Sequence, residues 1–175
     1  MFYTKNKVVL IIIICLITFF LTYKDLKSEE KQYVLGVSKV IDGDTILINS
    51  HKIRFYGIDA PEKNQFCKKT YLSLFFISLD KDYPCGKISK NKLKKITNNH
   101  LIKCHLKGKD RYKRFIGECF KNKLNLNSWM VRNGYALAYT KYSKKFISEQ
   151  EIAKKNKHGI WIGKFQEPWI WRKNN

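Results

Sequence analysis

Ile53-Arg-Phe-Tyr-Gly-Ile-Asp-Ala-Pro-Glu62 decides how this chain is read. Ile53 and Phe55 alternate with Arg54, the pattern of a half-buried strand. An arginine among such neighbours is costly unless it is paired or used. The spacing predicts a strand over Ile53–Ile58, ended by Asp59-Ala60-Pro61-Glu62. Upstream, Tyr33–Ile41 is β-rich, Asp42-Gly43 is a turn signal, and Thr45–Ile48 is a second strand. A hairpin folded at Ser50-His51, within the turn Asn49–Lys52, sets Asp44 opposite about Gly57 and brings Asp59 to the same open end. Two hard anionic oxygens at one strand end are what Ca²⁺ requires, with carbonyls and water completing its shell. Asp42 and Glu62 are near enough in sequence to serve as outer ligands. Both acidic segments also have a plainer reading as turns. Arg54 and Asp59 are five residues apart, about 16 Å on a straight strand. For both to reach one phosphate the strand must bend, and Gly57 is where it can.

Working outward, Leu101–Leu106 and Phe115–Phe120 are strand-like and flank a polar turn, Asp110–Lys113. That hairpin faces Cys104 with Cys119 and leaves Cys67 to pair with Cys85. No two of these cysteines have C-x-x-C spacing, which disfavours a zinc site. The turn also carries Arg111-Tyr112-Lys113-Arg114. Arg54 and Arg114 together are suited to clamp a phosphate, a fork that lysine cannot copy. Arg114 alone reads more readily as a solvated turn charge, and its weight comes from its neighbours. The segment from about Cys67 to Pro84 reads as irregular, with an unplaced apolar stretch at 72–79. Gly86–Asn98, Leu126–Arg132 and Lys144–Lys157 read as helices, the second closed by Asn133-Gly134. Strands crowd the first half and helices the second, as in an α+β domain or a small barrel with packed helices.

The chain has 175 residues and a formal net charge of +21, so polyanionic partners are favoured: nucleic acid or an anionic membrane surface. A compositional bias toward lysine and asparagine would produce the same charge. The apolar run Val8–Leu21 follows Lys5 and Lys7 and reads, within residues 1–23, as a signal sequence or uncleaved membrane anchor. Residues 24–32 read as a linker, and 33–175 as the folded domain. Four cysteines beyond the leader fit an oxidising compartment. The expectation is an exported protein: periplasmic, on the outer face of the cytoplasmic membrane, or secreted if the leader is cleaved.

Three segments carry a resemblance to a known family. Val40-Ile-Asp-Gly-Asp-Thr45, Ile53–Glu62 and Asp110-Arg-Tyr-Lys-Arg114 match, in order, the signature segments of staphylococcal-nuclease-like proteins. Leu126–Gly134 resembles the helix that follows them, and Lys157–Trp161 the end of the closing helix. The likeness covers about residues 33–162 and resembles an exported bacterial branch of that family. It implies an OB-fold: a five-stranded barrel with about three packed helices, suited to single-stranded nucleic acid. It implies a monomeric, Ca²⁺-dependent phosphodiesterase acting on DNA and RNA to leave 3′-phosphates. In that reading Asp44, Asp59 and the Ala60 carbonyl hold the metal, and Glu62 orients or deprotonates water. Arg54 and Arg114 bind the phosphate, while Tyr112 and Tyr139 flank the nucleotide. Tyr139 reads equally as core packing. Lys113 stands where the family has glycine, and Ala60 where it has threonine. A non-catalytic nucleic-acid-binding module of the same fold is the alternative.

Overall fold

The computed structural model describes residues 10–19, 32–74 and 77–175. Residues 10–19 form a helix (α1) with exposed apolar side chains. The remainder of the expected leader and nearly all of the expected linker lie outside the described residues. Among the described residues no helix is long and apolar enough to cross a membrane. Contacts divide the chain after Lys31, and everything from Gln32 onward belongs to one compact unit.

In that unit β1 (Tyr33–Val37) and β2 (Lys39–Asp42) are separated by Ser38 alone. They are followed by β3 (Thr45–Ile48), β4 (His51–Phe55) and the short β5 (Ile58–Asp59). After an intervening hairpin and helix come β8 (Leu101–Lys109) and β9 (Phe115–Lys121). Hydrogen bonding runs β1–β8–β9–β4–β3–β2, antiparallel except for the parallel β4–β9 pair. The two ends of this path, β1 and β2, are consecutive in the chain, so the sheet curls into a partly open barrel in which β1 and β2 together count as one of five strands. This is the α+β, OB-type architecture expected from the sequence. Alternation fills it: Ile46 and Ile48 from β3, Ile53 and Phe55 from β4, and Ile102, Cys104 and Cys119 from the β8–β9 pair are buried.

The β3–β4 hairpin turns at Asn49-Ser50, both with positive φ (46° and 67°), the geometry of a two-residue hairpin loop. The turn is thus one residue earlier than Ser50-His51. Asp44 consequently lies beside Phe55, whose amide donates to the Asp44 carbonyl at 2.8 Å, and not opposite Gly57. The expected strand Ile53–Ile58 breaks in two at Tyr56-Gly57, because Gly57 adopts φ +72°.

The segment read as irregular is an antiparallel hairpin, β6 (Cys67–Leu74) with β7 (Ile77–Tyr83). Its lysine-rich, weakly alternating sequence hides the pairing. Helix α2 (Cys85–Thr97) follows and buries Gly86, Ser89, Leu93 and Thr97, one stripe at helical spacing. β10 (Leu124–Asn125) leads into α3 (Leu126–Arg132), capped by the Asn125 side chain accepting from the Ser128 amide at 3.1 Å. β11 (Leu137–Ala138) pairs with β5. Helix α4 spans only Ile147–Lys155, shorter than Lys144–Lys157, since residues 144–146 form a turn. A 3₁₀ turn (Gly159–Ile162) precedes α5 (Pro168–Asn174), a fourth α-helix in this unit where about three were expected. Pro168 at its first turn explains its start.

Both disulfides are those the sequence favours. Cys104 and Cys119 are directly opposed on β8 and β9, with Cα atoms 4.0 Å apart. Cys67–Cys85 ties the root of the β6–β7 hairpin to the start of α2 across 5.6 Å. Cys15 is the free cysteine of the described residues.

Candidate active site

Asp44 leaves the turn before β3, Arg54 sits in β4, and Asp59 ends β5. Arg54 points away from the face that Ile53 and Phe55 bury, and its guanidinium spans the two acids. Nη1 donates to Asp44 Oδ1 at 3.1 Å and Nη2 donates to Asp59 Oδ1. Asp44 also accepts from Thr45 Oγ1 at 2.8 Å and from the Ala60 amide at 3.0 Å. Asp44 and Asp59 are 3% and 0% exposed, so these contacts satisfy carboxylates that water does not reach. The bend at Gly57 makes the convergence possible. Asn127 secures it: fully buried, it donates to the Tyr56 carbonyl at 2.9 Å and accepts from the Cys119 amide at 3.1 Å.

One residue of this site has no counterpart in the sequence reading. Arg172, from α5, donates through Nη2 to Asp59 Oδ2 at 2.8 Å and through Nη1 to Asp59 Oδ1 at 3.1 Å and Glu62 Oε1 at 2.6 Å. Trp169 anchors that helix by stacking on Tyr139, with ring centroids 5.1 Å apart and planes 10° apart. Gln65 is the second unread member. Fully buried, it accepts from the Glu62 amide at 3.1 Å and donates to the Gln166 carbonyl at 2.6 Å. It thereby joins the Glu62 turn to the segment entering α5. The only sequence signal for Arg172 was its place directly after the Pro168-Trp-Ile-Trp171 tail, which by itself says nothing of where the tail docks.

The electrostatics follow from this crowding. Burial, with repulsion from Asp44, raises the Asp42 carboxyl to about 6. Burial also raises Asp59 to about 6, against the pull of Arg172 and Arg54. Burial opposes the charge on Arg54, but Asp44 and Asp59 outweigh it and hold the guanidinium above its ordinary value. Arg172 behaves alike under Asp59 and Glu62. Three carboxylates, Asp44, Asp59 and Glu62, thus meet two guanidiniums, and a fourth, Asp42, adds its charge beside Asp44 and Glu62 with Lys90 as the cation acting on it. The balance is negative.

With Asp44, Asp59 and the Ala60 backbone at one place, the donor set is two hard carboxylates plus main chain, which suits Ca²⁺ in kind. Among the described residues no third carboxylate, histidine or cysteine joins them in metal-binding geometry. The chain belongs to the staphylococcal nuclease family. Its residues 52–163 match the family model described as "Staphylococcal nuclease homologue". The chain is 35% identical to Succinoglycan biosynthesis protein ExoI of Rhizobium meliloti (strain 1021), over 73% of this chain and 64% of that protein. It is 33% identical to an "Uncharacterized endonuclease" of Escherichia coli O157:H7, over 78% of this chain and 82% of the relative. It is also 28% identical to "Probable staphylococcal-like nuclease CAN3" of Oryza sativa subsp. japonica, over 75% of this chain. The chain spans just under two thirds of the first of these proteins and about a third of the rice one.

The other expected members of this family site lie farther out. Arg114 precedes β9, whose Phe115 pairs with Ile53 of β4, so it begins the strand next to Arg54. Its Nε donates to Asp110 Oδ2 at 2.7 Å, and its terminal nitrogens make no hydrogen bond among the described residues. It is not joined to Asp44, Asp59 or Glu62. Lys113, at the family's glycine position, takes φ +62°, the conformation glycine adopts readily. Tyr112 is exposed, with the Arg111 and Arg114 guanidiniums 4.8 and 5.4 Å from its ring. Tyr139 is packed against Trp169 and Tyr142, in keeping with its reading as packing.

Proposed function

We propose that this chain is a Ca²⁺-dependent nuclease that hydrolyses phosphodiester bonds in single-stranded DNA and RNA, leaving 3′-phosphates. The supporting observation is the convergence of Asp44 and Asp59 on Arg54 at the open end of a family barrel. Asp44, Asp59 and the Ala60 carbonyl would hold the cation, which, once bound, supplies Lewis-acid neutralisation of the phosphate. Arg54 is oriented by two carboxylates and would offer its remaining N–H donors to the phosphate. Arg114 offers its terminal nitrogens from the neighbouring strand and stabilises charge gathering on the phosphoryl oxygens. Glu62, partly exposed beside the acid pair, takes the proton of the attacking water. Tyr112, exposed on its turn, would stack on a base, and Tyr139 would border the nucleotide from the barrel side. The basic surface draws in the polyanion.

The test is an in-gel DNA digestion with calcium and with chelator, using wild type beside Glu62→Gln. Calcium-stimulated clearing by wild type, lost in the chelator lane and in the variant, is expected. Wild type inert with calcium would overturn the reading. It would favour a non-catalytic nucleic-acid-binding module, a reading that draws on Arg172 already engaging Asp59 and Glu62. The expected setting is outside the cytoplasm, supported by the two disulfides, with the N-terminal segment as signal or membrane anchor and the protein monomeric.

A further inference from the structure

Every carboxylate oxygen of Asp59 is engaged by a guanidinium of the chain itself. Oδ1 accepts from Arg54 and Arg172, and Oδ2 from Arg172. Arg54 is fixed from both sides, since it also binds Asp44. Arg172 is different. Its side chain is 35% exposed, against 0% for Asp59, and it is the last link of a short helix held elsewhere. Trp169 stacks on Tyr139, Pro168 is buried, and Gln65 holds the Gln166 carbonyl. Those three contacts do not involve the guanidinium. The arginine side chain is therefore free to rotate off Asp59 about its own bonds while α5 stays docked.

We propose that Arg172 is the residue that sets the divalent-cation affinity of this site, as an internal cation that competes for Asp59. The proposal rests on the reading that Asp44 and Asp59 hold the cation. A divalent ion bound to Asp59 through both oxygens competes with Arg172 for them, since Oδ1 already accepts two bonds and Oδ2 one. The ion's net affinity is then its affinity for the two acids less the ion pair given up. The two charge-assisted bonds to Asp59 are lost in the exchange. Arg54 also bonds both acids, but it is held between them and its side chain is 18% exposed against 35% for Arg172, so Arg172 is the one with room to move aside. Displaced from Asp59, the Arg172 guanidinium still has Glu62 within reach.

The experiment is calorimetric titration of the full chain with Ca²⁺ alone, comparing wild type, Arg172→Gln and Arg172→Lys. Near-UV circular dichroism of the Trp169–Tyr139 stack reports whether α5 remains docked. Arg172→Gln, with the stack intact, is expected to bind Ca²⁺ about tenfold or more tightly than wild type. Arg172→Lys is expected to fall between them, since a point charge cannot engage both Asp59 oxygens in parallel. Equal or weaker Ca²⁺ binding by Arg172→Gln with the stack intact would overturn the proposal and make Arg172 a support for Asp59. If α5 undocks in Arg172→Gln, the Lys variant decides in the same way, by tighter or unchanged affinity. Absence of Ca²⁺ binding in all three proteins would remove the cation reading of Asp44 and Asp59 itself, and the proposal with it.

Discussion

Arg54 and Asp59 form a direct ion pair although five residues of one β-rich segment separate them. A straight strand would hold them about 16 Å apart. Gly57, at φ +72°, turns the chain back between them. A side chain there is strained, and a Cβ would meet Ser143 Cβ at 3.1 Å and the Phe146 ring at 3.2 Å. Gly57→Val is expected to cost about 2–4 kcal/mol of stability, a left-handed backbone penalty with overpacking added. Chemical denaturation measures the loss, and an unchanged midpoint would contradict this account of the bend.

Removing Arg54 and removing Arg114 should have different effects on folding. Arg54→Ala is expected to reduce nuclease turnover by about 10²-fold or more, by analogy with loss of a preorganised donor to a transition state. It also leaves Asp44 and the fully buried Asp59 short of a cation, so its melting temperature should fall. Arg114→Ala removes a half-exposed charge and should lose turnover with little change in melting. Paired kinetic and melting measurements on the two variants check this; an Arg114→Ala protein with wild-type turnover would take Arg114 out of the site.

Gln65 joins segments 101 residues apart through its bond to the Gln166 carbonyl. Gln65→Ala strands the Glu62 amide and that carbonyl in the interior, at about 1–3 kcal/mol for each buried group left unsatisfied. The expected result is a lower melting temperature together with faster hydrogen exchange in 166–174. Destabilisation with no exchange change in that segment would show that α5 is held by other contacts.

Glu118 contributes one part of the acid dependence of stability. Burial opposes its charge, but Lys145 at 2.6 Å and Lys107 at 3.1 Å outweigh it and hold the carboxyl below its ordinary value. A depressed folded-state value means that the unfolded chain takes up the proton first as pH falls. The contribution is therefore complete above the ordinary glutamate range, near 4.3, and is lost as pH drops below it. Glu118→Gln should lower stability at pH 7 and flatten the fall in melting temperature below about pH 4.5. Parallel melting curves for variant and wild type across that window would exclude it.

The disulfides should differ in what they protect. Each closes a loop of 15 to 18 residues, worth about 3 kcal/mol in the chain-entropy account. Cys104–Cys119 lies inside the barrel, whereas Cys67–Cys85 ties the β6–β7 hairpin to α2, where Gly86 packs against the Glu62 carbonyl. Replacing Cys67 and Cys85 by serine should therefore lower turnover as well as melting temperature. Replacing Cys104 and Cys119 should lower melting alone. Turnover assays at a temperature where all variants are folded distinguish the two.

Much of this molecule was legible before any coordinates. Alternation placed Ile46, Ile48, Ile53 and Phe55 inward, because a strand's period of two is written directly in the residue order. Hairpin symmetry opposed Cys104 to Cys119, and the signature segments named Asp44, Arg54 and Asp59 as one cluster. The 67–84 segment was not legible, because its lysines interrupt any period that would betray a strand. The hairpin turn was misplaced by one residue, since Asn49-Ser50 and Ser50-His51 are both polar pairs and only backbone conformation separates them.

The sequence by itself determined the barrel, the family, the two cysteine pairs and the acids around Arg54, all of which rest on local periodicity or on contiguous segments. The tertiary structure alone decided that Arg172 meets Asp59, 113 residues away, and that Gln65 carries the C-terminal segment to the Glu62 turn. The physical reason is that periodicity reports which face of an element is buried, not which distant element covers it. The docking of α5 is fixed by shape at the barrel's end, where Tyr139 receives Trp169, and that docking brings the Arg172 guanidinium to the buried Asp59 carboxylate.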